Sequence, residues 1–233
     1  MKVHVWRLVC FVVLASTFSS GAHAQQDSET SKQFWPEVDL YVPLNEKFRL
    51  FFLATTSKSE ETRENNEGHI GANIDYQLHK KISLRTGYRY GFSLAGSDPY
   101  KEHRIIFEQT LRQPLPLDVL LSDQNREELR WVNGEFSARY RNRVTLEREF
   151  KVLSRPVTPY GSAEVFYDSR FDTWNRNRFV VGTQIAFKRG APLISLLHPT
   201  KQFVLDVYLT RQNDSRSQPS RVNALGMAFN VYF

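Results

Sequence analysis

The sequence RVNALGMAFNVYF, residues 221–233, alternates between apolar and small or polar side chains almost without interruption. Leu225, Met227, Phe229, Val231 and Phe233 fall on one face of an extended strand, while alanine, glycine, asparagine and tyrosine occupy the other. A period of two residues indicates a β-strand with one apolar face. That face must lie against a protein core or a lipid bilayer, and the rest of the chain decides between the two.

The first 24 residues have the pattern of a cleavable secretory signal peptide. Lys2 and Arg7 precede an apolar run over residues 8–15, and a segment of small residues ends at Ala24. A retained membrane helix is the weaker interpretation, because a spanning helix needs roughly 20 apolar residues. We therefore expect cleavage after Ala24. Since Cys10 lies in this leader, the mature chain would contain no cysteine for a disulfide, a thiol nucleophile or a thiolate metal site.

The charge of the chain does not indicate a nucleic-acid partner. The chain has 31 Lys and Arg against 25 Asp and Glu, a net charge of +6, and loss of Lys2 and Arg7 with the leader leaves +4. Basic and acidic residues are mixed along the same segments rather than clustered. A composition of this kind fits a soluble protein, and it equally fits a transmembrane barrel, whose strands are apolar on one side only.

Strand-like segments recur after the leader, and their lengths of 9 to 16 residues exceed the usual strand of about 5 or 6. Long strands suit the tilted wall of a barrel, so we predict an all-β fold, a single antiparallel up-and-down transmembrane β-barrel over residues 34–233. Residues 25–33 are expected to be a flexible N-terminal segment, and a helix is expected only at 191–198. The segments are 34–42, 46–57, 68–79, 81–93, 101–113, 117–132, 135–150, 157–170, 176–188, 201–212 and 221–233.

The strand count and the connections both bear on this barrel. Ten to twelve strands are expected, and twelve is favoured over the eleven visible segments because such barrels usually have an even number. Short connections at 44–46, 79–81 and 153–156 alternate with longer polar ones at 57–68, 95–102, 169–175 and 212–220, the layout of outer-membrane barrels. Two connections depart from it: Asn133-Gly134 is a tight-turn signal where a long loop is expected, and 191–199 is long where a short turn is expected.

In a membrane barrel, the charged strand faces line the lumen. Arg139, Arg141 and Arg143 follow one another on one face and would repel unless neighbouring strands supply acids, and Glu128 and Glu164 are suitably placed to do so. We predict that this network fills and rigidifies a narrow barrel; the alternative is a narrow, porin-like pore with a weakly anion-attracting constriction. The predicted lumen-lining residues are Arg85, Arg89, Arg104, Glu108, Arg126, Glu128, Arg139, Arg141, Arg143, Glu147, Glu164 and Arg178.

The signal peptide, the terminal aromatic residue and the aromatic side chains near the ends of the apolar faces favour lipid as the neighbour of these faces. The alternative is a soluble, lipocalin-like periplasmic barrel. We predict that Phe229, Val231 and Phe233 form the signal that barrel-assembly machinery reads. The expected location is the outer membrane of a Gram-negative bacterium, and the expected partners are its lipids, the assembly machinery and periplasmic chaperones; the pattern specifies no oligomeric state.

Several segments resemble a family of uncharacterised bacterial outer-membrane β-barrel proteins, a domain-of-unknown-function family. They are QFWPE at 33–37, TGYRY at 86–90, EHR at 102–104, RYRNR at 139–143 followed by Leu146-Glu147, and NRNR at 175–178. The resemblance spans about residues 34–233, and RYRNR is its most specific part. It implies the barrel fold and the outer-membrane location, and it implies no activity and no catalytic residues.

Catalysis is only weakly indicated by the residues themselves. None of the histidines of the mature chain lies two residues before a serine, the spacing that places both on one strand face in outer-membrane phospholipases and lipid A deacylases. If the barrel is an outer-membrane lipid-modifying enzyme, His103 is the best candidate base. A separate alternative is a protease-type pair formed by Asp98 and His103. Phosphate-binding loops and paired-histidine metal motifs are absent from the sequence. We predict a non-enzymatic barrel with no catalytic residues, no metal site and no cofactor.

Overall fold

The computed structural model describes residues 30–59, 67–94, 100–153, 155–188 and 202–233, and these ranges contain twelve strands. The prediction of an all-β barrel with ten to twelve strands is confirmed. A 3-10 turn at Pro116–Asp118 joins β5 to β6, and in the described ranges no helix is long and apolar enough to cross a membrane. The strands are β1 Thr30–Pro43, β2 Phe48–Ser59, β3 Glu67–His79, β4 Ile82–Ser93, β5 Lys101–Leu115, β6 Val119–Val132, β7 Glu135–Arg148, β8 Phe150–Val152, β9 Arg155–Asp168, β10 Thr173–Lys188, β11 Gln202–Asp214 and β12 Arg221–Tyr232.

Eleven of these strands form a closed wall, and the short β8 extends one hairpin beyond it by pairing with β9. Neighbouring wall strands are antiparallel except for the closing pair, in which β1 runs parallel to β12 with Thr30 opposite Arg221 and Tyr41 opposite Tyr232. An odd number of alternating strands requires such a pair, because the first and last strands then point the same way. The favoured count of twelve is reached only with β8, and the wall departs from the predicted antiparallel pattern at this one pair.

The connections separate into two rims. The short-turn rim carries the turns at 44–47, 80–81 and 116–118 and the C-terminal Phe233, whereas the long-loop rim carries the start of β1 and the connections 169–172 and 215–220. The tight turn predicted at Asn133-Gly134 lies at the long-loop rim, and both residues have a positive φ, 51° and 92°, which favours asparagine and glycine. Among the described residues the wall begins at Thr30, four residues before the predicted boundary, so residues 30–33 of the predicted flexible segment belong to β1. The predicted helix at 191–198 and residues 25–29 lie outside the described residues.

Alternation along each strand produces a polar inside and an apolar outside. On β12, Ala224 and Ala228 are buried and point inward, while Leu225 is 42% exposed and points outward. Large apolar side chains on other strands are likewise exposed on the outer face, among them Ile70 and Val181, the latter 70% exposed. Most buried side chains in the interior are polar or charged. This is the inverse of a water-soluble protein and the arrangement of a membrane barrel wall.

Aromatic side chains contact one another on the outer face near both rims. Their amphipathic rings fit the two boundaries between hydrocarbon and water, as the sequence predicts for interface girdles. The ring pairs near the long-loop rim are Tyr90–Phe92, Trp131–Phe136, Tyr140–Trp174 and Tyr167–Trp174, and those near the short-turn rim are Phe48–Tyr76, Phe187–Phe203 and Phe203–Phe229.

Candidate functional site

The predicted lumen-lining residues all lie on inward-facing positions of β4, β5, β6, β7, β9 and β10. This follows from the pairing register, which places the charged faces of successive strands side by side. Buried members are Arg104, Glu108, Arg126, Glu128, Arg139, Arg141 and Glu164, and half-buried members are Arg85, Arg89, Arg143, Glu147 and Arg178.

Glu128 is the centre of this cluster, with no exposed surface at all. Its Oε2 accepts a hydrogen bond from Arg139 Nε at 2.7 Å, and its Oε1 accepts one from Arg141 Nη1 at 3.1 Å. The Nη1 atoms of Arg104 and Arg126 lie 3.7 and 3.8 Å from Oε1. One carboxylate on β6 therefore neutralises arginines from β5, β6 and β7.

The arginines on β7 pair with carboxylates of neighbouring strands partly as the sequence predicts. Arg139 pairs with Glu128, and Arg141 is shared between Glu128 and Glu164, donating from Nη2 to Glu164 Oε1 at 2.6 Å. Arg143 instead donates to Gln124 on β6, although its backbone lies opposite Glu164 on β9. Glutamates thus form ion pairs with two of the three arginines, and the side-chain amide of Gln124 accepts a hydrogen bond from the third.

A second buried carboxylate, Glu102, organises the lumen nearer the long-loop rim. It has no exposed surface and accepts hydrogen bonds from Arg104 Nε at 2.9 Å, from Arg104 Nη2 at 2.8 Å, and from Arg130. Arg130 Nη1 also donates to Asp168 Oδ2 at 3.2 Å, and Asp168 in turn accepts from Arg170 in the turn after β9. The hydrogen bond to Asp168 raises the pKa of Arg170 above its ordinary value. The charges therefore form a chain of contacts that continues to the rim.

Phe166 is the apolar centre of the charged lumen, with 1% of its surface exposed. Four guanidinium carbons lie over its ring: Arg141 at 4.8 Å, Arg178 at 5.3 Å, Arg176 at 5.5 Å and Arg139 at 5.8 Å from the centroid. A ring face attracts cations, and the attraction is stronger away from water. Phe166 therefore stabilises arginines that outnumber the neighbouring carboxylates.

Sequence reasoning missed Glu102 and Phe166 as central lumen residues. Glu102 was assigned to the end of a rim loop, but it shares a strand face with Arg104. Phe166 shares one with Glu164 and Asp168. That shared alternation was the available signal, and for Phe166 the aromatic character argued against it.

On the remaining strands, the inward faces combine tyrosines and small residues with buried carboxylates such as Asp39 and Asp75. Tyr160 donates from its hydroxyl to Asp206 Oδ1 at 3.0 Å, joining β9 to β11. Gly226 on β12 lies against the ring of Tyr208, and a side chain at Gly226 would overlap that ring. A residue without Cβ is therefore required for the close approach. The inward side chains of these strands and of the charged strands pack together across the barrel, as in the stacking of Arg178 over Trp35 at 5.0 Å.

Within the described ranges, no group of three or more histidine, cysteine, aspartate or glutamate side chains could hold a metal ion. His103, the candidate base, points outward from β5, and its Nδ1 lies 2.5 Å from the hydroxyl of Tyr88. Its suggested partner Asp98 lies outside the described residues.

The outer wall carries a polar cluster on β6 and β7. Asn142 Nδ2 donates to Asp123 Oδ1 at 2.7 Å and to Asn125 Oδ1 at 3.1 Å, and the hydroxyl of Tyr140 also donates to Asn125. Glu127 is exposed on the same face, opposite Tyr140. Carboxylates and amides facing lipid are costly, and such residues generally mark function.

The comparisons with known proteins agree with this architecture. The family model described as "Protein of unknown function (DUF2490)" matches residues 32–194. The chain belongs to this family. The predicted resemblance to an uncharacterised outer-membrane barrel family is thereby confirmed. Among solved structures, LpxR from Salmonella typhimurium is similar, with a TM-score of 0.51 and 9% identity over 78% of this chain and 83% of that chain. At this identity the likeness shows an outer-membrane-type barrel fold alone, and no curated protein sequence matches.

Proposed function

We propose that this DUF2490 barrel is a non-enzymatic outer-membrane protein whose lumen is closed by its own ion pairs, so that it acts as a structural barrel rather than an open pore. The observation that carries the proposal is the complete burial of Glu128 among four arginines. A carboxylate lining a water-filled channel would keep exposed surface.

The energetics support a closed lumen. Each buried ion costs several kcal/mol to desolvate, and excellent geometry with further hydrogen bonds is needed to offset that cost. Glu102 and Glu128 meet this requirement because each contacts at least two arginines, and each of those arginines is itself nearly buried. Water entering the lumen would have to displace this network, since it links β5, β6, β7, β9 and β10 through side chains.

The decisive experiment is planar-bilayer recording on purified protein that migrates in a heat-modifiable way on gels. We expect the wild-type barrel to insert without producing conductance steps. Stable open-channel conductance from the wild-type protein would overturn the closed lumen and favour the narrow, porin-like pore. Recovery of the wild type in the soluble periplasmic fraction would overturn the membrane location itself.

A lipid-modifying enzyme is the second candidate, and the polar cluster on the outer wall is the observation that favours it. Asp123, Asn125, Glu127 and Asn142 lie on a face expected to contact acyl chains, which places carboxylates and amides beside lipid. Turnover of phospholipid or lipid A by purified protein, lost in Glu127→Gln, would support this candidate. Absence of turnover by the wild-type barrel in lipid vesicles would count against it, and unchanged turnover in His103→Ala would exclude that histidine as the base.

A further inference from the structure

The aromatic girdle at the long-loop rim is interrupted on one side of the barrel. Aromatic rings occupy the outward positions near this rim on β4, β6, β7, β9 and β10. On β11, β12, β1 and β2, the outward positions nearest the same rim carry basic and amide side chains instead. Four exposed cations, called here the basic patch, are Arg211, Arg221, Lys32 and Lys58.

The pairing register makes these cations neighbours although they are far apart in sequence. Arg211 lies opposite Asn223 on β12, and Asn223 lies opposite Lys32 on β1, so the three form one row across three strands. Adjacent strands are about 4.8 Å apart, which places the backbones of Arg211 and Lys32 roughly 10 Å from each other. Arg221 lies one step nearer the rim, opposite Asn213. The parallel closure of β1 on β12 is what creates this row.

Within the described residues, the charges of the basic patch are not compensated by carboxylates. In the described part of the chain, none of the four side chains has an ion pair or a side-chain hydrogen bond. The carboxylates on these strands, Glu37, Asp39, Asp206 and Asp214, lie on the inward face and are separated from the patch by the wall. This contrasts with the lumen, where nearly every buried arginine contacts a carboxylate.

The patch lies directly above an apolar surface. One step further from the rim, the cross-strand neighbours Val181, Leu209, Leu225 and Phe34 are apolar and exposed on the outer face, and this row ends at Lys58, opposite Phe34. On β11, β12 and β1, the outer wall therefore changes from cationic or polar to apolar within one step along the strands. A change of this kind marks the level where lipid headgroups meet acyl chains, and phosphates are the anionic groups found there.

An open depression adjoins the patch at the rim. It has a volume of about 680 Å³ and is lined by residues of β9–β12, including Asn177, Asn213 and Arg221 of the outer face and Ser215 of the following turn. Asn213 Nδ2 donates to Asn177 Oδ1 at 2.8 Å within this lining. The depression therefore presents side-chain amides and a hydroxyl next to the neighbouring cations.

We propose that the basic patch binds a phosphorylated lipid of the outer leaflet, with phosphate groups against Arg211, Arg221 and Lys32 and acyl chains along Leu209 and Leu225. Arginine matches phosphate geometry with two parallel donors, and lysine adds a point charge. The spread of the cations over several strands fits a headgroup with two phosphates better than one. This inference rests on the proposed function, because it requires the long-loop rim to lie in the outer leaflet.

Lipid binding to the purified barrel in detergent, followed by native mass spectrometry, tests the proposal. The probes are diphosphorylated lipid A, its fully dephosphorylated form and inorganic phosphate. The double variant Lys32→Gln with Arg211→Gln removes two patch charges, and the matched control Lys80→Gln with Lys151→Gln removes two exposed lysines at the short-turn rim. Each cation near a lipid surface contributes about fivefold in affinity, so we expect roughly a 25-fold loss in the patch variant and none in the control.

Three results would overturn the proposal: equal binding by the patch and control variants, equal binding of dephosphorylated lipid A, or inorganic phosphate binding as tightly as the lipid, which would indicate a soluble-anion site. Heat-modifiable migration of every variant is checked in the same samples. A wild-type protein that stays soluble and does not insert would overturn the proposed function. An inserted barrel whose lipid A binding does not depend on the basic patch would overturn only this inference.

Discussion

Glu128→Gln is the substitution that tests the charge-packed lumen most directly. It keeps the size of the side chain and removes the charge at the one position that four arginines share. Three of these arginines keep an ion pair with another carboxylate: Arg104 with Glu102, Arg126 with Glu108, and Arg141 with Glu164. Arg139 loses the only carboxylate that it contacts in the described structure.

The expected loss in the free energy of unfolding depends on how many arginines are left without a carboxylate. Removing one partner of a buried ion pair costs about 3–5 kcal/mol, because a charge is left uncompensated in a low-dielectric interior. Since only Arg139 is left without a carboxylate, we expect the free energy of unfolding to fall by about 3 kcal/mol, the lower end of that range. The adjacent Glu127→Gln is the matched control, because it makes the same chemical change on the exposed outer face of the same strand. We expect that control to change stability by no more than about 0.5 kcal/mol in the destabilising direction.

The assay is denaturant titration of the barrel folded in lipid vesicles, with the folded fraction measured by its faster migration on unheated gels. Linear extrapolation gives the free energy of unfolding for the wild type and both variants. Equal stabilities of Glu128→Gln and Glu127→Gln would refute the reasoning, since they would mean that the lumen is wet enough to screen the arginines from one another.

Three further predictions address the wall, the packing and the assembly of the barrel. With Cys10, which lies in the predicted leader, replaced by serine, a membrane-dissolved thiol reagent is expected to label Leu225→Cys and to spare Asn230→Cys; the opposite pattern would indicate a lipocalin-like soluble barrel. Gly226→Ala is expected to lower the free energy of unfolding by about 1–3 kcal/mol, because the added methyl overlaps the ring of Tyr208. Tyr208→Ala should recover part of this loss, and an unchanged unfolding midpoint in Gly226→Ala would contradict the tight packing. Deletion of Phe233 should lower the heat-modifiable fraction recovered from cells, and an unaltered fraction would argue against its role as an assembly signal.

The local pattern of the chain was sufficient to predict the strands and their faces. Each strand has a period of two that depends only on backbone geometry, so the place of Leu225 on an apolar face and of Glu128 on a charged face follows from neighbouring residues alone. The turn at Asn133-Gly134 is predictable for the same reason, since its positive φ angles are a property of those two residues.

What the tertiary structure decided is the set of neighbours between strands. The charged faces are visible in the sequence, but the choice of Glu128 rather than Glu164 as partner of Arg139 depends on the register of β6 against β7. The parallel pairing of β1 with β12, and with it the row that joins Arg211 to Lys32, depends on the closure of the whole wall with an odd number of strands. Closure joins segments nearly two hundred residues apart. No periodicity within a single strand carries information about that contact, because the contact depends on the stagger of every strand in the barrel.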